Sequence, residues 1–268
     1  MIARLRLAAV LGFMFPLTLL LMPVQFLAIK LKLRLAHKLP VFWHRLMTRM
    51  IGLKITSHGK ITDKRPLMLV ANHVSWCDIL VLGSLGDVCF IAKNEVATTP
   101  FAGLLAQLQR SIFVVREEKR KSGEQAREVT QRLIDGDTIV LFAEGTTGDG
   151  NRLLEFKSSL FGAAQYALEA PEIDQVYIQP VSIAYTRFHG IRMGRFQRAR
   201  ASWPGDIELA PHAAEFMRAS AWDVDVCFSE PVVFDHTTRR RAIAKQVHAE
   251  VRTMFQHSNF GLGSHREI

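Results

Sequence analysis

A histidine and an aspartate five residues apart offer the clearest chemistry in this chain. Residues 72–78 (NHVSWCD) follow the apolar run 67–71 (LMLVA). Neutral imidazole can accept a proton from a hydroxyl, because its ordinary pKa of about 6.5 leaves it mostly uncharged near pH 7. A carboxylate on the other ring nitrogen fixes the tautomer and stabilises the imidazolium that forms. His73 and Asp78 are therefore candidates for a general base and the carboxylate behind it.

The same residues also fit the start of a helix. If Ser75 caps the helix that follows, Asp78 lies at its third position, where an acidic side chain reaches back toward the residues before the cap. Ser-x-x-Asp before the apolar residues 79–82 is then a capping box that requires no catalysis. The spacing alone leaves both interpretations open.

The elements that must position these residues follow an alternating pattern from about Lys54 onward. Strand-like apolar runs occupy 67–71, 88–92, 112–115, 138–143 and 176–183, and helical patterns between them occupy 79–85, 101–108, 123–134 and 156–168. Two more strand-like stretches, 223–228 and 231–234, precede a closing helix over 239–255. The alternation predicts an α/β fold, with a mainly parallel central sheet flanked by helices and a site at the strand ends.

Four ordered blocks resemble the glycerolipid acyltransferases, the PlsC-like lysophosphatidate acyltransferase family. Residues 72–78 resemble the His-x4-Asp block of that family, and 111–116 (SIFVVR), 142–146 (FAEGT) and 178–183 (IQPVSI) resemble its later blocks. Together they cover roughly residues 67 to 185, and their order is far more specific than one short motif. The resemblance implies a membrane-bound O-acyltransferase that moves a fatty acyl group from an acyl thioester to the free hydroxyl of a lysolipid.

The resemblance also implies roles for individual residues. His73 is the general base and Asp78 its partner, while Glu144, Gly145 and Thr146 bind the acceptor. The donor is a thioester of acyl-carrier protein or coenzyme A, and no cofactor or metal is expected because a thioester is already activated. Backbone donors at the start of the helix after His73 would stabilise the oxyanion. Secondary site candidates are Asn72, Ser75, Lys93, Lys157 and Pro180, the last shaping the acyl-chain side.

Arg116 ends the strand-like run 112–115, where a guanidinium could bind a phosphate bidentately. Pairing with Glu117 or Glu118 at the surface explains it equally well from the sequence alone. The resemblance favours binding of the acceptor phosphate.

The third block departs from the family pattern, in which an arginine usually follows Glu-Gly-Thr. This chain has Thr147 there, and Ser111 and Ser159 stand where glycines are common. Arg152 or Lys157 could supply the missing charge. We expect 1-acyl-sn-glycerol-3-phosphate as acceptor, giving phosphatidic acid. The alternative is lyso-ornithine lipid, which has no phosphate, because bacterial relatives acting on it resemble this Glu-Gly-Thr-Thr version.

Other classes of function fit less well. A lipid thioesterase or hydrolase could use Ser75 or Cys77 as nucleophile, but the chain has no G-x-S-x-G elbow. A non-catalytic membrane-binding protein would not need the ordered polar blocks. A formal charge of +9 indicates an anionic partner. No nucleic-acid-binding motif accompanies this charge, so we expect anionic lipids and no nucleic acid.

The residues from Leu7 to Ile29 carry no charge and are long enough to cross a bilayer, which takes about 20 residues. Pro16, Pro23 and Gln25 weaken a straight span and allow a kinked or re-entrant insertion. Because there is no A-x-A-like cleavage site, we expect an uncleaved anchor rather than a signal peptide. A segment rich in basic and aromatic residues follows, at 30–47, and suits an anionic headgroup layer or an ordinary packed helix.

The predicted organisation is a membrane anchor and basic interfacial segment over 1–50, an acyltransferase domain over 51–257 and a flexible tail over 258–268. The positive-inside rule places the domain, and its active site, on the cytoplasmic face of a bacterial inner membrane. Three scattered cysteines suggest a reducing compartment. Five arginines within 187–200 form either a second surface for headgroups or acyl-carrier protein, or a solvated loop.

Overall fold

The computed structural model describes residues 2–114, 122–204 and 207–261. The helices are α1 (Ile2–Lys30), α2 (Leu35–Ile51), α3 (Cys77–Leu85), α4 (Asn94–Ala97), α5 (Ala102–Leu108), α6 (Ser122–Ile134), α7 (Gly162–Ala167), α8 (Arg195–Ala201), α9 (Leu209–Ala219) and α10 (Arg240–Phe260). The strands are β1 (Leu53–His58), β2 (Leu67–Ala71), β3 (Cys89–Lys93), β4 (Ile112–Val114), β5 (Thr138–Phe142), β6 (Gln175–Phe188), β7 (Ile191–Arg192), β8 (Trp222–Phe228) and β9 (Val232–Asp235).

Within these described residues, nine strands form one sheet in the order β1-β8-β6-β2-β5-β3-β4, with β7 and β9 also paired to β6. The strands from β6 through β2, β5 and β3 to β4 are parallel. Their carboxyl ends therefore lie along one edge, as the alternating pattern predicts. β7, β8 and β9 pair with β6 in the antiparallel sense. The predicted α/β fold with a mainly parallel sheet is confirmed.

β2 is buried on both faces and separates two hydrophobic cores. Leu67 and Leu69 pack with the core that includes α1, α2, α3 and α9, whereas Met68 and Val70 pack with the core that includes α6, α7 and α10. Continuous burial of this kind explains why the strand reads as an unbroken apolar run. The same burial fixes the position at which the chain leaves β2, one residue before Asn72.

β6 changes partners along its length, and Pro180 stands at the change. Residues up to Ile178 pair with β9, and residues from Val181 onward pair with β8. A proline lacks the N–H that a sheet ladder uses, so it is tolerated at a position between two partner strands. The adjacent Gln179 side chain fills the gap by donating to the carbonyl of Ser229 at 2.9 Å.

α1 is one continuous helix that includes both Pro16 and Pro23. The residues Ala3–Lys30 are long and apolar enough to cross a membrane, by length and composition only. One side of α1 packs on the domain through Val10 and Met14, whereas only 17% of its most apolar window is buried. The prolines do not interrupt α1, and the buried Gln25 amide donates to the carbonyls of Ala36 (2.9 Å) and Leu108 (2.8 Å), so this polar side chain is satisfied by contacts with the domain.

Two elements differ from the sequence predictions. The helix predicted over 156–168 is a 3-10 turn, Ser158–Phe161, followed by α7, because the Lys157 N–H bonds the Ala143 carbonyl at 2.9 Å and ties residue 157 to the sheet edge. The segment 30–47, predicted to lie in a headgroup layer or to pack as an ordinary helix, overlaps α2, which packs on α3; there Arg45 Nε donates to the Ser84 carbonyl, and contact with headgroups stays a prediction. α10 continues to Phe260, beyond the predicted end at residue 255, and the rest of the predicted tail, 262–268, lies outside the described residues.

Candidate active site

His73 lies just beyond the carboxyl end of β2, and Asp78 lies in the first turn of α3. His73 Nδ1 and Asp78 Oδ2 are 2.8 Å apart. The Asp78 side chain is 0% exposed and the His73 side chain 17% exposed, so the carboxylate is behind the imidazole and the ring reaches the surface. Because Nδ1 is bound to the carboxylate, Nε2 is the nitrogen left to take a proton from a substrate.

Asp78 also organises the backbone before α3. Its Oδ2 accepts hydrogen bonds from the N–H groups of Val74 (2.6 Å) and Ser75 (2.9 Å). The carboxylate therefore reaches back, as the capping-box spacing predicts, but the helix begins at Cys77 and has no side-chain cap hydrogen bond. The Val74 and Ser75 amides are engaged by Asp78, so the predicted oxyanion contact would have to come from other donors.

The loop of the third block holds both backbone groups of His73. Glu144 Oε2 accepts from the His73 N–H at 2.7 Å, and the Gly148 N–H donates to the His73 carbonyl at 2.8 Å. Glu144 Oε1 accepts from the Leu154 N–H at 2.7 Å, and the side chain is only 2% exposed. Burial raises the pKa of Glu144 to about 8, although the two N–H donors act in the opposite direction. Its contacts in the structure are thus with backbone, and its predicted contact with the acceptor stays a prediction.

After Glu144 the third block continues with a buried glycine, Gly145, and then reaches the surface. Gly145 has a φ of +73°, a conformation that favours glycine, and Thr146 is exposed. Thr147, which stands where the family usually has arginine, donates its hydroxyl to the Trp203 carbonyl. The Trp203 N–H in turn donates to the Val74 carbonyl at 2.9 Å. At the position where the family usually has arginine, Thr147 therefore holds Trp203 next to the first block by a hydrogen bond.

Stacked aromatic rings fix the plane of the imidazole. His73 stacks on Phe142 with ring centroids 3.9 Å apart and planes 13° apart, and Phe142 stacks on Phe90 at 6.1 Å. Phe142 ends β5 and Phe90 lies within β3, so residues from three neighbouring parts of the sheet contribute to this stack. An apolar ring against one face of the imidazole restricts its rotation and excludes water from that face.

The secondary candidates are distributed around this edge. Asn72 is buried and forms a two-way bridge to β6: its Nδ2 donates to the Ile183 carbonyl at 2.9 Å, and its Oδ1 accepts from the Ile183 N–H at 2.8 Å. Lys93 ends β3 and is exposed, Lys157 is exposed, and Pro180 is buried in the sheet. Arg116 lies outside the described residues, so its predicted role stays a prediction.

Tyr185 is a residue that the sequence patterns did not single out. It lies in β6, and its hydroxyl donates to Asp78 Oδ1 at 2.9 Å. A tyrosine within an apolar strand looks like an ordinary core residue. The contact joins residues 107 positions apart, and only the strand order β6-β2 brings them together.

The two nucleophiles considered for a hydrolase are both buried. Ser75 and Cys77 are each 0% exposed. Burial, together with the nearby Asp78 carboxylate, raises the pKa of the Cys77 thiol well above its usual value, which disfavours the reactive thiolate. Neither side chain is placed to attack a substrate that approaches His73 from solvent.

Among the described residues, His37, Asp87 and Asp137 are the group whose ligand atoms lie close enough to hold a metal ion. Arg110 pairs with Asp87 at 2.7 Å and with Asp137 at 2.9 Å, and Arg132 pairs with Asp137 at 2.8 Å. Because these guanidinium groups already neutralise the carboxylates, the cluster is better explained as an ion-pair network. No residue of this cluster belongs to the four blocks.

The five arginines of 187–200 do not act alike. Arg198 is 5% exposed, and it donates to the Met193 carbonyl at 3.0 Å and to Asn151 Oδ1 at 3.1 Å. It is thus a structural residue of α8, contrary to the prediction of a wholly surface set. Arg187, Arg192, Arg195 and Arg200 are exposed, and their suggested contact with anionic groups stays a prediction.

Comparison with known proteins agrees with this architecture. The crystal structure of the 1-acyl-sn-glycerophosphate acyltransferase PlsC from Thermotoga maritima matches 98% of this chain and 100% of its own, with a TM-score of 0.66 and 19% identity. The fold is therefore that of the PlsC-type acyltransferases.

Two curated relatives are much closer in sequence, and both are lyso-ornithine lipid O-acyltransferases. The protein from Brucella abortus is 47% identical over 97% of this chain and 98% of its own length. The protein from Rhizobium meliloti is 48% identical over 88% of this chain and 81% of its own length. Residues 53–184 match the Acyltransferase family. The chain belongs to this family, and it is an acyltransferase that acts on lysolipids.

Proposed function

We propose that this protein acylates lyso-ornithine lipid, using an acyl thioester of acyl-carrier protein or coenzyme A. The observation that carries the proposal is the 47% identity over nearly the full length to a lyso-ornithine lipid O-acyltransferase. The similarity to PlsC, at 19% identity, supports the assignment of the fold and does not identify the acceptor. Lysophosphatidate, the acceptor expected first from the sequence, is therefore the less supported of the two.

The third block supports the same acceptor. Thr147 replaces an arginine that would suit a phosphate, and its hydroxyl is bonded to Trp203. An ornithine headgroup carries a carboxylate and an ammonium and no phosphate. Arg116 could still bind the acceptor, because a guanidinium pairs with a carboxylate as well as with a phosphate.

The mechanism uses His73 Nε2 as general base. The acceptor hydroxyl loses its proton to Nε2 as its oxygen attacks the thioester carbonyl. Asp78 stabilises the imidazolium through Nδ1, which is 2.8 Å from Oδ2. The tetrahedral intermediate then expels the thiolate, which takes the proton from His73, so that one ester forms and one thioester breaks. We place this reaction at the cytoplasmic face of a bacterial inner membrane.

The test is transfer of a labelled acyl group to lyso-ornithine lipid and to lysophosphatidate, side by side, from acyl-carrier protein and from coenzyme A. We expect the larger kcat/KM with lyso-ornithine lipid. His73→Ala should lower kcat by about 10²- to 10⁴-fold, the usual loss of a general base. His236→Ala changes an exposed histidine outside the four blocks and should leave the rate unchanged.

Two results would contradict the proposal. Preferred transfer to lysophosphatidate would show that the natural acceptor carries a phosphate. Near-full turnover by a folded His73→Ala protein would remove His73 from the mechanism, whichever acceptor is used.

A further inference from the structure

The geometry points to Tyr185 as a positioning residue for acyl transfer, whose hydroxyl holds the Asp78 carboxylate in the orientation that engages His73. The inference rests on the proposed role of His73 as general base. Tyr185 is 3% exposed, and it reaches Asp78 from β6, the neighbour of the strand that His73 follows. Its hydroxyl bonds the Asp78 carboxylate and not the imidazole, so it would act through Asp78.

The two oxygens of Asp78 have different tasks. Oδ2 accepts from His73 Nδ1 and from the Val74 and Ser75 amides, and Oδ1 accepts the Tyr185 hydroxyl at 2.9 Å. The last torsion of an aspartate side chain is broad and weakly restrained by its own geometry. A donor on Oδ1 therefore fixes that torsion and keeps Oδ2 directed at the imidazole.

Tyr185 is itself fixed from several sides. Its ring packs edge-to-face on Phe216, with centroids 6.3 Å apart. The β6–β8 register shifts between Tyr185 and Arg187, and such an irregularity re-aims a side chain. Two residues earlier, Ile183 is bridged by Asn72 to the end of β2. The hydroxyl is thus located relative to the first block by the sheet and not by a flexible loop.

The contact also adjusts charge. Burial and the Asp78 carboxylate raise the pKa of Tyr185 well above its usual value, so the phenol keeps its proton and donates it. A donor on Oδ1 withdraws negative charge from the carboxylate, which then stabilises the imidazolium less. Loss of the hydroxyl should therefore strengthen the attraction between the Asp78 carboxylate and the imidazolium. The other titratable groups near Asp78 are Cys77 and Glu144, whose pKa values burial raises, and neither residue is substituted in such a variant.

The experiment compares Tyr185→Phe with Tyr177→Phe. Tyr177 is a matched control because it lies in the same strand, and its hydroxyl accepts from Gln175 and not from a site residue. For Tyr185→Phe we expect kcat to fall about 10- to 100-fold, the range for losing a hydrogen bond to a charged group. KM should be unchanged, and the acid limb of the kcat/KM profile should move to higher pH. A rate and a pH profile equal to those of the wild type would overturn the inference.

A second measurement covers the case in which Tyr185→Phe does not fold. The chain has three tyrosines, so 3-fluorotyrosine in a Tyr166→Phe/Tyr177→Phe background labels Tyr185 alone. Fluorine makes the phenol a stronger donor, and the acid limb should move to lower pH. An unchanged acid limb in this protein would also reject the role.

The same assay distinguishes failure of the general-base role of His73 from failure of the positioning role of Tyr185. It uses whichever lysolipid the wild type acylates, and it includes His73→Ala. Activity retained in His73→Ala would reject the general base and, with it, the Tyr185 role. An inactive His73→Ala beside an unaffected Tyr185→Phe would reject the Tyr185 role alone.

Discussion

At the scale of single residues, Glu144 has the contacts least expected from the sequence. It belongs to a polar block that resembles an acceptor site, yet both of its oxygens accept from backbone N–H groups, those of His73 and Leu154. The burial that makes these bonds strong also disfavours the charged carboxylate. Glu144 therefore couples the backbone that positions His73 to the pH of the solution, through the stability of the folded protein.

The direction in which stability changes with pH follows from the shift in the pKa of Glu144. The pKa of Glu144 in the folded protein is about 8, above its ordinary value. A raised pKa contributes stability that is present below the unfolded-state pKa of about 4.3 and is lost as the pH rises through the folded-state value. We expect the wild type to lose stability relative to Glu144→Gln between pH 5 and pH 9. Thermal unfolding at several pH values in one detergent measures it.

Glu155→Gln provides the control for this prediction, because Glu155 is exposed and only eleven positions away. Its stability should follow the wild-type pH curve. Parallel curves for the wild type and Glu144→Gln would contradict the raised pKa.

At the scale of secondary-structure elements, the ends of neighbouring strands are tied to one another by side chains. Asn72 joins the end of β2 to β6, and Phe142 at the end of β5 stacks on the His73 ring. The site is thus built on the sheet edge itself. Sheet-borne groups are more precisely located than groups on free loops.

Replacement of Asn72 tests whether attachment to the sheet edge positions the site. In Asn72→Ala the N–H and C=O of Ile183 both lose their partner, and each unsatisfied buried group costs about 1–3 kcal/mol. We expect a lower midpoint of thermal unfolding together with a lower kcat, because β6 also carries Tyr185. Asn94→Ala alters an exposed residue at the start of α4 and should change neither quantity. An Asn72→Ala protein with wild-type unfolding would show that the bridge is dispensable.

Sequence patterns predicted the elements that supply the site better than the contacts within it. Apolar runs with polar residues after them gave β2 and β5, because these strands are buried on both faces and their ends are marked by a change of composition. The contact of Tyr185 with Asp78, and that of Trp203 with Val74, depend on the lateral order of the strands and on a distant loop. Periodicity along the chain carries no information about either.

Elements outside the sheet core were also harder to predict. The basic and aromatic residues of α2 fit both an interfacial segment and a packed helix, and the structure shows that His44 and Thr48 on one face are buried. The buried His44 Nε2 pairs with Gln109 Oε1 at 2.8 Å. Because this partner is 65 positions away, no local sequence pattern indicates that the polar side chain of His44 is buried and hydrogen-bonded.

At the scale of the whole molecule, both ends of α1 are fixed to the same domain. Near its start, Arg6 donates to Ser220 and to the Met50 carbonyl. Near its end, Gln25 donates to the Leu108 carbonyl at 2.8 Å. These positions are about 28 Å apart along a helix, nearly the thickness of the hydrocarbon layer. A helix that crossed the bilayer could not keep both contacts with a domain on one side of it.

We therefore expect α1 to lie in the plane of one leaflet, with its exposed apolar side in the lipid. The measurement is labelling of Arg4→Cys by a membrane-impermeant maleimide in inside-out and right-side-out vesicles, in a Cys227→Ser background. Cys77 and Cys89 are buried and remain in place. Arg4→Cys should react only in inside-out vesicles, like the control Glu155→Cys in the domain. Reaction of Arg4→Cys from the opposite side would show a spanning helix.

The double attachment of His73 to the third block has a consequence for dynamics. Its N–H and its carbonyl are both bonded within the loop 144–148, so the backbone of His73 cannot be released unless that loop opens. The amides of His73, Gly148 and Leu154 should then exchange with deuterium at a common rate, as one cooperative unit. His73 is thus held by a loop that has to open as a whole, whereas the side chain of Thr146 in the same loop is exposed to solvent.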